Sequence, residues 1–209
     1  MNILAFDTSL NKTYLALYSK GNIYSEIIES SVEKYHSAYL IKKIVELLEK
    51  QELTPQDINV LSTNIGPGSF TGIRVGLTVA RAFAQATNAD VVGVNSLELI
   101  SKAHSQNAIT ILDARKNKAY VGNEKSVELI DLETLAEFLK KDNYVVISDT
   151  KMQEFLQKQN INTINFEQET LNYGEILIKI TQEKLEKKLA TKWQELKPLY
   201  IQPPPIHQK

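Results

Sequence analysis

Three stretches of this chain hold residues whose types and spacing could do chemistry. Asp7-Thr8-Ser9 follows the apolar run Ile3 to Phe6, which puts a carboxylate and two hydroxyls at the end of a buried strand. Such an Asp can work with metal and phosphate, or it can simply cap the turn into Leu10-Asn11. The second stretch, Asn64-Ile65-Gly66-Pro67-Gly68-Ser69-Phe70-Thr71-Gly72-Ile73-Arg74-Val75-Gly76, joins the apolar run Ile58 to Leu61 to an Ala- and Val-rich helical pattern from Thr71 to Ala86. Pro67 fixes its own φ and has no N–H to donate, Gly66 and Gly68 open conformations closed to other residues, and Ser69 is placed to cap the helix. Several N–H groups are thereby expected to stand free at a helix N-terminus, a place for an anion or a polar partner. The spacing is neither G-x-G-x-x-G nor a phosphate loop ending in Lys-Ser/Thr, Arg74 is the nearby cation, and a tight strand-to-helix turn accounts for the same residues. The third stretch is Asp113-Ala114-Arg115, where an Arg could meet an anion with Asp113 as its pair, or form an ordinary surface ion pair. Together Asp7, Thr8, Ser9, Gly68, Ser69, Asp113 and Arg115 outline a possible anion- or nucleotide-like cleft.

The elements that must position these residues alternate strands with helices. Ile3 to Phe6, Thr13 to Tyr18 and Ile23 to Ile28 read as strands, the last two joined by the turn Lys20-Gly21-Asn22. Ser31 to Lys50 is a helix whose residues Leu47, Leu40, Ile44, Leu48, Ile41, Val45 and Ala38 fill about half the cylinder, wider than the ~100° stripe a surface helix needs. Tyr35 and Tyr39 lie on its polar side. Ile58 to Thr63 is a strand, and the helix Thr71 to Ala86 shows one narrow polar stripe of Arg74, Thr78, Arg81 and Gln85. Its other faces are apolar or small, Gly72, Gly76, Ala80 and Ala84 included, so it needs cover nearly all round. Either both helices lie deep in their own core, or they pack on a second subunit. Val91 to Val94 is a strand and Asn95-Ser96 starts a short helix to about His104.

A second unit is expected after Ser105-Gln106-Asn107. Its strands are Ala108 to Leu112, Lys118 to Val121, Lys125 to Ile130 and Tyr144 to Ile147; its helices are Leu132 to Lys140, Met152 to Gln157 and Leu171 to Leu189. Trp193 to Ile201 is expected to return to the body, and Pro203-Pro204-Pro205 to form a polyproline tail. The pattern is α/β, opening with a meander, in two domains, 1–104 and 105–209.

Composition removes several classes of function. The chain has 209 residues, 43% hydrophobic and 23% charged, with a net charge of −1. That balance argues against strong nucleic-acid binding by the chain itself, which draws on clustered Lys and Arg. There is no cysteine, hence no disulfide framework, thiolate zinc site or cysteine nucleophile. The first residues carry an Asp in a strand pattern rather than a signal core. No apolar run approaches the roughly 20 residues that span a bilayer, so no membrane association is expected and the cytoplasm is the expected compartment. His36, His104 and His207 show no metal-ligand spacing, and no nucleophile–base set or His-Glu-x-x-His motif appears.

The run Gly66-Pro67-Gly68-Ser69-Phe70-Thr71-Gly72-Ile73-Arg74-Val75-Gly76 resembles the signature of the TsaB (formerly YeaZ) family. Ile3-Leu4-Ala5-Phe6-Asp7-Thr8-Ser9 and Asp113-Ala114-Arg115 with Tyr120 fit the same family; the likeness is close to about residue 122 and thin afterwards. It implies the ribonuclease-H-like fold of the actin, heat-shock ATPase and sugar-kinase superfamily (ASKHA), in two lobes with a reduced second lobe. It also implies a non-catalytic subunit that pairs with a TsaD-like catalytic subunit, alongside a TsaE-like ATPase, for threonylcarbamoyl transfer to the adenosine next to the anticodon of tRNA. Transfer RNA would be met only through the complex, and the chain alone could form a homodimer. The implied interface is Tyr35, Tyr39, Ile41, Ile44, Val45 and Leu48 of the first helix with Gly72, Gly76, Ala80, Phe83 and Ala84 of the second. In the catalytic paralogue a His-x-x-x-His pair holds a metal; here those positions fall on Ser96 and Ile100, so no metal or cofactor is expected. Gln202 stands where relatives commonly have Arg. Two other readings stay open. One is an ATP-dependent phosphotransferase using Asp7 and Arg115, against which the lack of a Gly-Gly pair among the eight glycines argues. The other is a peptidase acting on a partner protein.

Overall fold

The computed structural model describes residues 1–28 and 36–201, and the side chains of 36–38 are outside the description. Tyr35, the expected helix start at Ser31, Gln202, the triple proline and His207 therefore lie outside the described residues, as does the side chain of His36.

The chain forms two compact units, Met1–Ser96 with Asn172–Pro198, and Leu97–Leu171 with 199–201 among the described residues. In the first, β1 (Ile3–Asp7), β2 (Thr13–Ser19), β3 (Asn22–Ile28), β4 (Val60–Asn64) and β5 (Asp90–Val94) form one sheet in the order β3-β2-β1-β4-β5. The first three strands are an antiparallel meander, while β4 and β5 run parallel to β1; Ala5 stands opposite Ala16 on one side and Ser62 on the other. Helices α1 (His36–Lys50) and α2 (Phe70–Thr87) connect β3 to β4 and β4 to β5. Their residues Leu40, Ile44, Leu47, Leu48, Ile73, Leu77, Ala80 and Ala84 share a core with Leu4, Phe6, Leu15, Leu17 and Leu61.

Side chains alternate along a strand, so Ala5, Ala16 and Ser62 point to the opposite face. There α6 (Tyr173–Glu186) packs on β1 through β5, with the Thr181 hydroxyl 2.6 Å from the Ser62 hydroxyl and 2.6 Å from the Leu177 carbonyl. This corrects the expected division at residue 104: the last helix belongs to the first unit, because small residues on that sheet face leave room for it. Beyond α6, Thr191 bridges to Val91 on the edge strand β5, and Trp193 packs against the first core.

The second unit repeats the plan. Strands β6 (Ala108–Asp113), β7 (Lys118–Gly122), β8 (Val127–Asp131), β9 (Val145–Ser148) and β10 (Ile164–Asn165) take the order β10-β9-β6-β7-β8. Again the first three are antiparallel neighbours and the last two run parallel to the first. The helices α4 (Leu132–Leu139) and α5 (Thr150–Gln157) stand where α1 and α2 stand in the first unit, each with eight residues against 15 and 18. A short α3 (Ser96–Lys102) precedes β6. The two-residue β10 escaped the sequence because it offers no run long enough to alternate. The fold is ribonuclease-H-like, with two lobes and a reduced second lobe.

Candidate functional site

Asp7 is the last residue of β1 and is fully buried. Its Oδ1 accepts from the Ser9 amide at 2.6 Å and the Ser9 hydroxyl at 2.8 Å, and its Oδ2 accepts from the Asn64 side-chain amide at 2.8 Å. The Asn64 carbonyl oxygen in turn accepts from the Gly66 amide at 2.8 Å and the Ser96 hydroxyl at 3.0 Å. Burial pushes the Asp7 carboxyl above its ordinary range, against the downward pull of hydrogen bonds from Ser9, Asn64 and the Leu10 amide. Asn64 is the residue that sequence reasoning missed. Its signal was available: a polar residue closing an otherwise buried strand, as Asp7 closes β1.

The helix N-terminus that was expected to stay open is partly taken up by the chain's own groups. The Ser69 amide donates to the Ser9 carbonyl at 2.9 Å, the Gly72 amide donates to the Ser69 hydroxyl at 3.2 Å, and the Thr8 hydroxyl donates to the Gly72 carbonyl at 2.7 Å. The glycines are set by this contact. A Cβ on Gly72 would lie 1.9 Å from the Thr8 carbonyl oxygen, one on Gly68 would lie 2.7 Å from the Ser9 carbonyl oxygen, and one on Gly76 would lie 3.0 Å from the Thr8 and Thr63 hydroxyls. Asp7, Thr8, Ser9, Gly68 and Ser69 are therefore brought together, with two of the donors proposed for an anion already occupied.

Asp113 and Arg115 belong to the second unit, where Asp113 ends β6. The Arg115 backbone amide donates to Asp113 Oδ1 at 2.8 Å, but the cation that meets Asp113 is Lys151, with Nζ 3.0 Å from Oδ2. The expected Asp113–Arg115 side-chain pair is thus replaced by an Asp113–Lys151 pair, because the hairpin turn carries the Arg115 side chain outward into solvent. The Asp113 amide donates to Asp149 Oδ2 at 2.6 Å, and Asp149 Oδ1 caps α5 by accepting from Met152 at 2.8 Å. Burial raises the Asp149 carboxyl, with Glu167 and Asp113 adding to the rise and the two amides opposing it. Burial likewise raises the Tyr120 phenol, which the nearby Arg115 cation opposes. Three consecutive residues of this turn, Arg115, Lys116 and Asn117, have φ of 60°, 48° and 58°, the left-handed region.

The third candidate is the surface of α1 and α2, and here the structure divides the expected set. Ile44, Leu48, Gly72, Gly76, Ala80 and Ala84 are buried within the first unit, since α1 and α2 pack on each other and on the sheet. Those six cannot meet a partner without unpacking. Tyr39, Ile41 and Val45 remain 46%, 52% and 43% exposed, Phe83 is half-buried, and Phe70 at the start of α2 is 52% exposed beneath the Arg74 guanidinium, 3.8 Å from its ring centre.

Ser96 is spent on Asn64, and Ile100 is buried. Among the described residues no group of three or more His, Cys, Asp or Glu is arranged to hold a metal ion, and no helix is long and apolar enough to cross a membrane.

The family model described as TsaD, tRNA N6-adenosine threonylcarbamoyltransferase, matches residues 22–199. The tRNA threonylcarbamoyladenosine biosynthesis protein TsaB of Bacillus subtilis is 34% identical over 125 residues, which is 58% of this chain and 54% of that protein; the match spans about half the relative's length. The TsaB protein of Buchnera aphidicola from Schizaphis graminum is 24% identical over 189 residues, covering 82% of this chain and 87% of that one. Among solved structures, YeaZ from Pseudomonas aeruginosa superposes with a TM-score of 0.78 at 19% identity, covering 96% of this chain and 99% of that chain, and so has the same fold.

Proposed function

This chain belongs to the TsaB (YeaZ) family, and from that premise we propose that it is a non-catalytic subunit in the formation of threonylcarbamoyladenosine in tRNA. It pairs with a TsaD-like catalytic subunit, works beside a TsaE-like ATPase, and meets tRNA only through the assembly. The observation that carries this reading is the pair of exposed apolar side chains Ile41 and Val45, one turn apart on α1, with Tyr39 exposed on another side of that helix and Phe70 at the head of α2. Isolated exposed apolar residues are ordinary, but large ones one turn apart on a helix are suited to covering by another protein. The Asp7 turn supports the same reading. Both oxygens of its carboxylate accept hydrogen bonds, from Ser9 and Asn64, and Gly68 and Gly72 lie against the backbone of Thr8 and Ser9, so these groups are spent on holding the fold.

Reconstitution tests the proposal. The cognate TsaD, TsaE, ATP, threonylcarbamoyl-adenylate and tRNA are combined with and without this chain, and modified tRNA is quantified. Modification that needs the chain, with none from the chain alone, is the expected result; equal modification without it rejects the role.

A further inference from the structure

We propose that the outer edge of β8 and the adjoining face of α4 form a docking groove for an extended, lysine- or arginine-bearing segment of a partner protein, which adds to the second sheet as one more strand. β8 ends the sheet order and pairs with β7 only, in the register Val121 opposite Glu128 and Ala119 opposite Ile130. A strand in that position turns a row of backbone N–H and C=O groups outward, a template for another chain. Beside that edge lies a cavity of about 440 Å³ shared with α4, lined on its apolar side by Ile130 and Phe138. An edge strand flanked by a helix, with an apolar floor between them, is the arrangement that accepts a peptide by strand addition; main-chain bonds supply affinity and alternate side chains supply specificity.

The charges around the groove choose the occupant. Glu128 and Glu137 line it and carry no salt bridge among the described residues, while Asp131 is already tied to Lys118 at 2.9 Å. Lys141 is the opposing cation among the lining residues. Every second side chain of an incoming strand would face α4, where basic residues would lay their stems along Ile130 and Phe138 and reach Glu128 and Glu137, while the intervening apolar residues would lie on the Leu129 face. The reading of α1 and α2 given above makes no use of this groove, and the groove does not depend on it.

The probe is a fluorescein-labelled, end-capped peptide of sequence Lys-Val-Lys-Val-Lys-Val-Lys, titrated into the full chain by anisotropy, with amide hydrogen exchange read in parallel. Saturable binding with slowed exchange in β8 is expected. The double substitution Glu128→Lys with Glu137→Lys, on exposed side chains, should keep the melting temperature and weaken the peptide at least tenfold. A peptide with its central Val replaced by Pro should lose binding, since Pro lacks the N–H a ladder needs. Absence of saturable binding overturns the proposal, as does equal binding of the corresponding Glu-Val peptide or an unaffected double variant. Protection of β8 in the peptide-free chain also overturns it. If that protection rises with protein concentration, the occupant is a second copy; if it vanishes when residues after 201 are removed, the occupant is the chain's own tail.

Discussion

Asp7 and Asp113 close equivalent strands of two sheets built to one plan, yet they are held in opposite ways. Asp7 is buried, with Ser9 and Asn64 donating to both of its oxygens, and the start of α2 is pressed onto the residues that follow it. Asp113 shares its carboxylate between one backbone amide and the exposed ammonium of Lys151. Glycine follows the same division: Gly68, Gly72 and Gly76 stand where a side chain would strike the neighbouring turn, whereas the left-handed Arg115, Lys116 and Asn117 have none. One plan has thus produced a structural knot in the first unit and an open turn in the second. On the proposed reading, the first unit is recognised through its helices rather than its strand ends.

The largest effect that would break this comparison comes from Gly72→Ala. The new methyl must displace the Thr8 carbonyl, a backbone group, so a loss of about 3 kcal/mol or more is expected in urea unfolding. A near-neutral result would mean the turn is loosely held. Next comes the pair of strand-end substitutions. Asp7→Asn turns an amide donor toward buried donors and should cost about 2–3 kcal/mol. Asp113→Asn, whose ion-pair partner is exposed, should cost no more than about 1 kcal/mol. Equal costs would erase the distinction between knot and turn.

How much of this was legible in the sequence depends on who the neighbour is. The strands announced themselves as short apolar runs, and the connecting helices as 3.6-residue periods, because burial on one face dictates both patterns. The wide apolar arc of α1 could not separate Ile44 from Ile41 and Val45. At 100° steps all three share the arc, and only the packing of α2 beside α1 decides which are spent. Likewise the spacing of Gly72 and Gly76 says that something comes close, but not whether it is a partner helix or the backbone of Thr8. The destination of α6 was hidden for the same reason. Its period shows that it must cover a sheet; the small side chains Ala5, Ala16 and Ser62, far away in sequence, say which one.

Smaller effects sharpen the contrast. Lys116→Gly should stabilise by about 1 kcal/mol, since glycine adopts a φ of 48° without the cost other residues bear there. Thermal melts check this. The smallest effect is one of pH. Burial raises the Asp149 carboxyl in the folded chain above the ordinary 3.8, so folding takes up a proton there. The stability of the wild type relative to Asp149→Asn is therefore greatest below 3.8 and falls as pH rises through the raised value. Denaturant titrations across that window should show this slope, opposite to that of a salt-bridged carboxylate.

The most direct test of the central claim, that the exposed face of α1 and not a cleft carries function, is tRNA modification in the reconstituted system with Ile41→Glu plus Val45→Glu in this chain. Both side chains are about half exposed, so the variant should fold and melt as the wild type does. The account predicts that pairing with TsaD and modification of tRNA are both lost. Modification at the wild-type rate by a folded double variant would contradict it.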